Sequence, residues 1–159
     1  MKTLIIYDSL YGNTERLARA IGEAATGDVE VARVADTNLS ERGSFDLVIV
    51  GSPTQGGRPT QAMQEYLGRL PSLGNVRVAA FDTRLTNKWV RVFGFAAGKI
   101  ANGLKARDGI LAVEPEGFFV EGKEGPLLEG ELERARAWAQ AHARVDAAGA
   151  EGTRRAARH

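Results

Sequence analysis

Between Asp8, which follows an apolar run ending at Tyr7, and Glu15, which lies in a helical pattern, the chain reads Ser9-Leu10-Tyr11-Gly12-Asn13-Thr14. Two aliphatic hydroxyls, a phenol, a carboxamide and a turn-forming glycine stand there, and there is no lysine. Residues of this kind at the start of a helix can hold a terminal phosphate. The first backbone N–H groups of a helix have no internal partner, and they carry the positive end of its dipole. Ser9, Asn13 and Thr14 add neutral donors. The same residues also suit an ordinary N-cap and turn, and taken alone they do not divide the two readings. Two other phosphate-binding patterns are excluded. A nucleoside-triphosphate loop needs G-x-x-x-x-G-K-[ST], and a dinucleotide loop needs G-x-G-x-x-G; only Gly12 is present here.

Two further loops follow apolar strands. Gly51 to Thr60 offers Pro53, the Thr54 hydroxyl, the Gln55 amide and the Gly56-Gly57 peptide, which can turn its carbonyl or N–H toward a ligand with little strain. It also reads as a turn feeding the next helix. Phe81 to Phe95 is long for a strand-to-helix connection, which favours a functional role. It carries Asp82, Thr83 and Arg84, then Trp89, the best flat apolar partner for a planar ligand. A local hydrophobic cluster of Trp89, Phe93 and Phe95 is the competing reading. Asp82 is the one carboxylate at a strand end there, and a hydrogen-bonding role in the loop is favoured for it.

The remaining chemistry is limited by composition. The 159 residues include no cysteine, which excludes disulfides, thiolate catalysis and Cys-ligated metal. His142 and His159 are the only imidazoles, both near the C-terminus, and read as surface residues. Any redox chemistry must therefore come from a bound cofactor. Net charge is +1, which argues against a nucleic-acid face. Arg154, Arg155 and Arg158 against Glu151 place +2 in the last twelve residues and leave the rest at −1. No stretch approaches the roughly 20 apolar residues of a membrane span, and the N-terminal apolar run is too short for a signal-peptide core. The expected location is cytoplasmic, with no membrane partner.

The elements that must position these loops alternate. Strands are expected at Thr3 to Tyr7, Val29 to Val34 (edge-like), Leu47 to Gly51, Val76 to Asp82 and Gly109 to Pro115. Helices are expected over Thr14 to Ala25, Pro59 to Leu70, Ala96 to Ala106 and Glu129 to Val145, the last with Leu132, Ala135, Trp138, Ala139 and Val145 on its core face. Phe118 and Phe119 are read as anchoring a final loop. Strands that are apolar without alternation need cover on both faces. The fold class is therefore α/β, a doubly wound five-stranded parallel sheet of order 2-1-3-4-5, with ligands outside the carboxyl ends of strands one and three. Residues 1–147 form the expected domain, and 148–159 a basic tail with too little apolar surface to order.

Length, element order and the three loops resemble the short-chain flavodoxin-like proteins, themselves the type example of the 2-1-3-4-5 order. The family's phosphate loop, [ST]-x-[TSY]-G-N-T, corresponds to Ser9 through Thr14, and its small-residue Pro-Thr segment with glycine to Ser52 through Gly57. The resemblance covers about residues 1 to 145 and implies flavin mononucleotide (FMN) as cofactor. It implies that Ser9, Leu10, Tyr11, Gly12, Asn13 and Thr14 hold the phosphate. Pro53, Thr54, Gln55, Gly56 and Gly57 line the ring's inner side, and Phe81, Asp82, Thr83 and Arg84 approach its pyrimidine edge. This sequence has Gln55 where many relatives carry a stacking aromatic. It also lacks the usual outer tyrosine, for which Trp89 substitutes. Its near-neutral core, with Arg58, Arg84, Lys88 and Arg91 near the ring, implies a less negative potential for the last electron than in acidic flavodoxins, and a docking face for an acidic redox partner.

The implied function is an electron carrier between redox partners. The alternative is an FMN-dependent NAD(P)H or quinone oxidoreductase of the same fold. A phospho-receiver domain fits poorly: it needs paired acids after strand one, an Asp after strand three and a Lys after strand four. Here Asp8 stands alone, followed by Gly51-Ser52 and Asp82 at the other two positions.

Overall fold

The structure, a computed structural model, describes residues 1–39, 43–86 and 95–141. The elements run β1 (Lys2–Tyr7), α1 (Asn13–Ala24), β2 (Asp28–Arg33), a short 3-10 turn (Val34–Asp36), β3 (Leu47–Pro53), α2 (Gln61–Gly68), β4 (Arg77–Leu85), α3 (Ala96–Lys105), β5 (Ile110–Leu111), β6 (Glu116–Val120) and a helix α4 over residues 131–141. Every strand pair is parallel. The order is β2-β1-β3-β4, with β5 and then β6 occupying the fifth position beside β4. This is the 2-1-3-4-5 order that the sequence predicts.

Alternation along the strands divides the core. Leu4, Ile6, Val48, Val50, Val78 and Ala80 face α2 and α3. Ile5, Tyr7, Ile49, Ala79 and Phe81 face α1 and α4, against Leu17, Ile21, Ala135 and Trp138. Central strands buried on both faces read as continuous apolar runs for this reason. β2, at the edge, alternates between exposed and half-buried positions as its sequence suggests.

The fifth strand departs from expectation. Gly109 to Pro115 is strand only at Ile110–Leu111, and the longer segment is Glu116–Val120, which the sequence reading assigns to a loop. Arg77 and Val78 pair with Ile110 and Leu111, and Phe81 to Leu85 with Glu116 to Val120. Four residues of the fifth strand therefore lie opposite Ala79 and Ala80. Pro115, which has no N–H for a ladder, falls in that bulge. Phe118 is fully buried in an edge-to-face trio with Phe81 and Trp138, at centroid separations of 6.1–6.2 Å. β4 runs to Leu85, further than predicted.

α4 begins two residues later than predicted, after Gly130 at φ 85°. Glu131 accepts the Phe119 N–H at 2.8 Å and is ion-paired with Arg134 at 2.7 Å. Burial pushes its carboxyl up, but Arg134 and the Phe119 N–H outweigh burial and hold it below the ordinary glutamate value. Glu15 is likewise depressed, by hydrogen bonds from Arg19 and the Tyr7 hydroxyl. Groups with depressed folded values stabilise the protein above the unfolded value and lose that contribution as pH falls through the folded one. Urea denaturation is expected to show stability falling below about pH 4.3, with Glu131→Gln flattening that decline. His142, Val145 and the expected tail at 148–159 lie outside the described residues.

Candidate functional site at the strand ends

Loops one to three lie at the carboxyl ends of β1, β3 and β4. The first is braced from below. Asp8 accepts the Ser9 N–H at 2.9 Å and the hydroxyl of Thr60, which also caps α2 by accepting the Met63 N–H at 3.2 Å. From β2, Arg33 donates to the Ser9 carbonyl at 3.0 Å and to Glu15 at 3.4 Å, with its guanidinium over the Tyr7 ring. Burial, then the hydrogen bond to Glu15, pushes the Tyr7 phenol up.

α1 then opens without a side-chain cap. Its N-cap is Gly12, at φ 91°, a backbone conformation that favours glycine. The first intrahelical bond runs from the Arg16 N–H to the Gly12 carbonyl at 3.0 Å. The amides of Asn13, Thr14 and Glu15 are thus the orphan donors of the first turn. The side chains around them are partly committed. Ser9 Oγ accepts the Gly12 N–H at 3.1 Å and keeps its own hydrogen. Thr14 and Thr83 share one hydrogen bond at 3.1 Å, which leaves one hydroxyl hydrogen between them. Asn13 turns aside and donates to the Glu124 carbonyl at 3.1 Å. Leu10 and Tyr11 are exposed, at 50% and 46%. These residues fit a phosphate: backbone amides at a positive helix end, two spare hydroxyl hydrogens and no competing side-chain cap.

In the second loop Thr54 donates its N–H to the Thr83 carbonyl at 2.9 Å. Gln55 and Arg58 then exchange two backbone hydrogen bonds, 2.7 and 3.0 Å, around Gly56 (φ 55°) and Gly57 (φ 78°). Two positive φ values in succession define a type I′ turn, which needs glycine-like residues at both positions. Gln55, Gly56 and Arg58 are exposed, and Pro53 is half-buried beneath the turn.

The third loop differs from expectation in its side chains. The ring of Phe81 does not reach the strand ends. It is fully buried on the α1/α4 face, packed on Phe118 and Trp138. Asp82, on the opposite face, is also fully buried. Its carboxylate takes two hydrogen bonds from Arg84, both 2.8 Å, and one from the Ala97 N–H at 2.9 Å. Burial pushes Asp82 up against the pull of these donors. Arg84, with a side chain 16% exposed, stacks on the Phe95 ring at 3.5 Å, so its charge is turned inward and neutralised rather than offered to a partner. Thr83 alone of the four points its side chain toward the first loop, where its hydroxyl meets that of Thr14. Trp89, Lys88 and Arg91 lie outside the described residues. Of the supporting residues not foreseen, Thr60 had a legible signal as a hydroxyl before a helix. Arg33 and the Glu124–Gly125 turn had none, since only tertiary contact brings them to loop one.

A doubly wound parallel sheet with an uncapped helix N-terminus at the switch point and a glycine turn beside it defines a class of mononucleotide-binding proteins. The family model "Flavodoxin" matches residues 5–138. The chain belongs to the flavodoxin family, whose members bind FMN. It is 42% identical over 109 residues to a flavodoxin of Megasphaera elsdenii, covering 65% of this chain and 73% of that one. To a flavodoxin of Maridesulfovibrio salexigens it is 33% identical over 97 residues, covering 58% and 62%. To an NAD(P)H dehydrogenase (quinone) of Cupriavidus metallidurans it is 30% identical over 95 residues, covering 45% and 48%. The matches thus span from under half to about three quarters of these relatives' lengths. Among solved structures, a flavodoxin from the domain Archaea superposes with a TM-score of 0.74 at 22% identity, covering 92% of this chain and 99% of that one, which shows the shared fold. No helix among the described residues is long and apolar enough to cross a membrane, and no cluster of potential metal ligands occurs among them.

Proposed function

We propose that this protein is an FMN-dependent electron carrier that passes electrons between redox partner proteins. The observation that carries this reading is the uncapped N-terminus of α1 set beside the Gly56-Gly57 turn at the β1/β3 switch point. FMN when bound supplies one- and two-electron chemistry. The protein's part is to bind, orient and tune. Amides of the first turn of α1, with the hydroxyls of Ser9 and of the Thr14–Thr83 pair, hold the phosphate. Pro53 to Gly57 flank the ring, and Trp89 is its proposed outer cover. Arg58 remains exposed and, with Lys88 and Arg91, is proposed to dock an acidic partner; Arg84 is withdrawn from that patch by Asp82.

The turn itself supplies a means of tuning. Rotating the Gly56–Gly57 peptide by half a turn converts type I′ to type II′, and the closing Gln55–Arg58 bonds survive. Gly57 then adopts negative φ, whereas Gly56 stays positive. Gly57→Ala is expected to disfavour the observed turn by about 1 kcal/mol, read by urea denaturation, and to favour the rotated form. Gly56→Ala is strained in both forms.

The decisive experiment is titration of the folded protein with FMN. Saturable one-to-one binding with quenched flavin fluorescence is expected, and a folded protein that ignores FMN overturns the reading. The 30% identity to a quinone dehydrogenase supports a second reading, an FMN-dependent NAD(P)H or quinone oxidoreductase. Steady-state oxidation of NAD(P)H by a quinone separates the two, because a carrier takes up hydride negligibly without a partner reductase.

A further inference from the structure

We infer that Asp82 is the positioning residue of the ring side of the site: one buried carboxylate clasps the end of β4, the second loop and the start of α3 into a single unit. The inference rests on the FMN reading. α3 opens on Phe95, which offers no capping side chain. Its first two amides are capped instead by residues distant in sequence, Ala96 N–H by Thr54 Oγ1 at 3.1 Å and Ala97 N–H by Asp82 at 2.9 Å. Thr54 is in turn bound to the end of β4 through its N–H, which donates to the Thr83 carbonyl at 2.9 Å. Thr54 is the residue immediately before the Gln55–Arg58 turn, so the hydroxyl that caps Ala96 stands next to that turn, and the first turn of α3 ties both to Asp82.

Arg84 completes the clasp. Its guanidinium lies between the Phe95 ring, 3.5 Å away, and the backbone of Gly117, where an added Cβ would stand 2.1 Å from Arg84 Nε. The ion pair is thereby fixed from both sides, and its charge is cancelled where a free cation would otherwise stand near the ring. The phosphate side is built on α1 and Asp8, and among the described residues it meets the clasp through Thr83, hydrogen-bonded to Thr14, and the second loop through Thr60, hydrogen-bonded to Asp8, while neither Asp82 nor Thr54 touches it.

The test uses the full chain with Asp82→Ala, Asp82→Asn and Thr54→Val, and three probes: FMN, riboflavin and inorganic phosphate. Asp82→Ala is expected to weaken FMN and riboflavin by the same factor, about tenfold. Inorganic phosphate, measured as a competitor of FMN, keeps its affinity. Asp82→Asn, which retains an acceptor for the Ala97 N–H, recovers part of the loss. Affinities for FMN and riboflavin equal to wild type in a folded variant, or a loss shared equally by phosphate, would overturn the inference. Should Asp82→Ala not fold, Thr54→Val carries the same pattern at smaller size. Amide exchange in the protein without flavin gives an independent readout. In Asp82→Ala the Gln55 and Arg58 amides should speed up together with Ala96 and Ala97, and acceleration confined to Ala97 also overturns the clasp. A wild-type protein that binds no FMN would overturn the cofactor reading, while the exchange result would still decide the clasp.

Discussion

Replacing Arg84 with methionine is expected to destabilise the protein by about 3–5 kcal/mol, a fall in Tm of about 10 °C for a chain of this size. The cause is the partner left behind. Asp82 is fully buried, and Arg84 supplies two of its hydrogen bonds and, among the described residues, its only ion pair. Without the guanidinium, the Ala97 N–H remains as its donor among the described residues, and it carries no charge. The sign of the pH dependence provides a check. Burial already pushes Asp82 upward, and loss of Arg84 pushes it further. A carboxyl whose folded value is raised costs stability above that value and ceases to do so when protonated. The deficit of Arg84→Met relative to wild type is therefore expected to narrow as pH is lowered from 7 toward 5 in urea denaturation, opposite in sense to the acid loss from Glu15 and Glu131. Adding Asp82→Asn to Arg84→Met removes the unpaired charge and should recover stability, so the two substitutions are strongly non-additive. A deficit that does not change with pH would mean that Asp82 is not the group left exposed to the loss.

Phe81→Ala is expected to cost a similar amount, about 3–5 kcal/mol, but to act on a different property. The ring is fully buried and meets Phe118 and Trp138 edge to face. Its removal leaves a void between β4, β6 and α4 that these neighbours cannot fill without leaving their own contacts. The ring lies on the face of β4 opposite Asp82, over Gly51 of β3, and takes no part in the capping of α3 or the Gln55–Arg58 turn. FMN affinity, measured at temperatures where the variant is folded, is therefore expected to equal that of wild type. The pairing of a large stability loss with unchanged binding separates Phe81 from its neighbour Asp82, for which both change. If FMN binding fell in step with stability, the assignment of Phe81 to the core alone would be wrong.

These adjacent residues also show where reading the sequence stops. The alternation of apolar strands with helices is a property of local pattern and burial, and it determined the doubly wound sheet and its order before any coordinates. Gly12 between a strand and a helix, and Gly56-Gly57 after the third strand, declared themselves because backbone at positive φ demands a particular residue type. The split fifth strand escaped notice because Pro115 ends one run while Glu116 to Val120 alternates weakly; its place beside β4 is set by the burial of Phe118, which is not a local quantity.

By itself, then, the sequence determined the architecture and the three strand-end loops. The tertiary structure decided which side of β4 each of Phe81, Asp82, Thr83 and Arg84 faces, and with what partners. A strand of period two sends successive side chains to opposite layers. Four consecutive candidates were thereby divided among an aromatic core, a buried ion pair and the first strand-end loop according to the helices that cover each face.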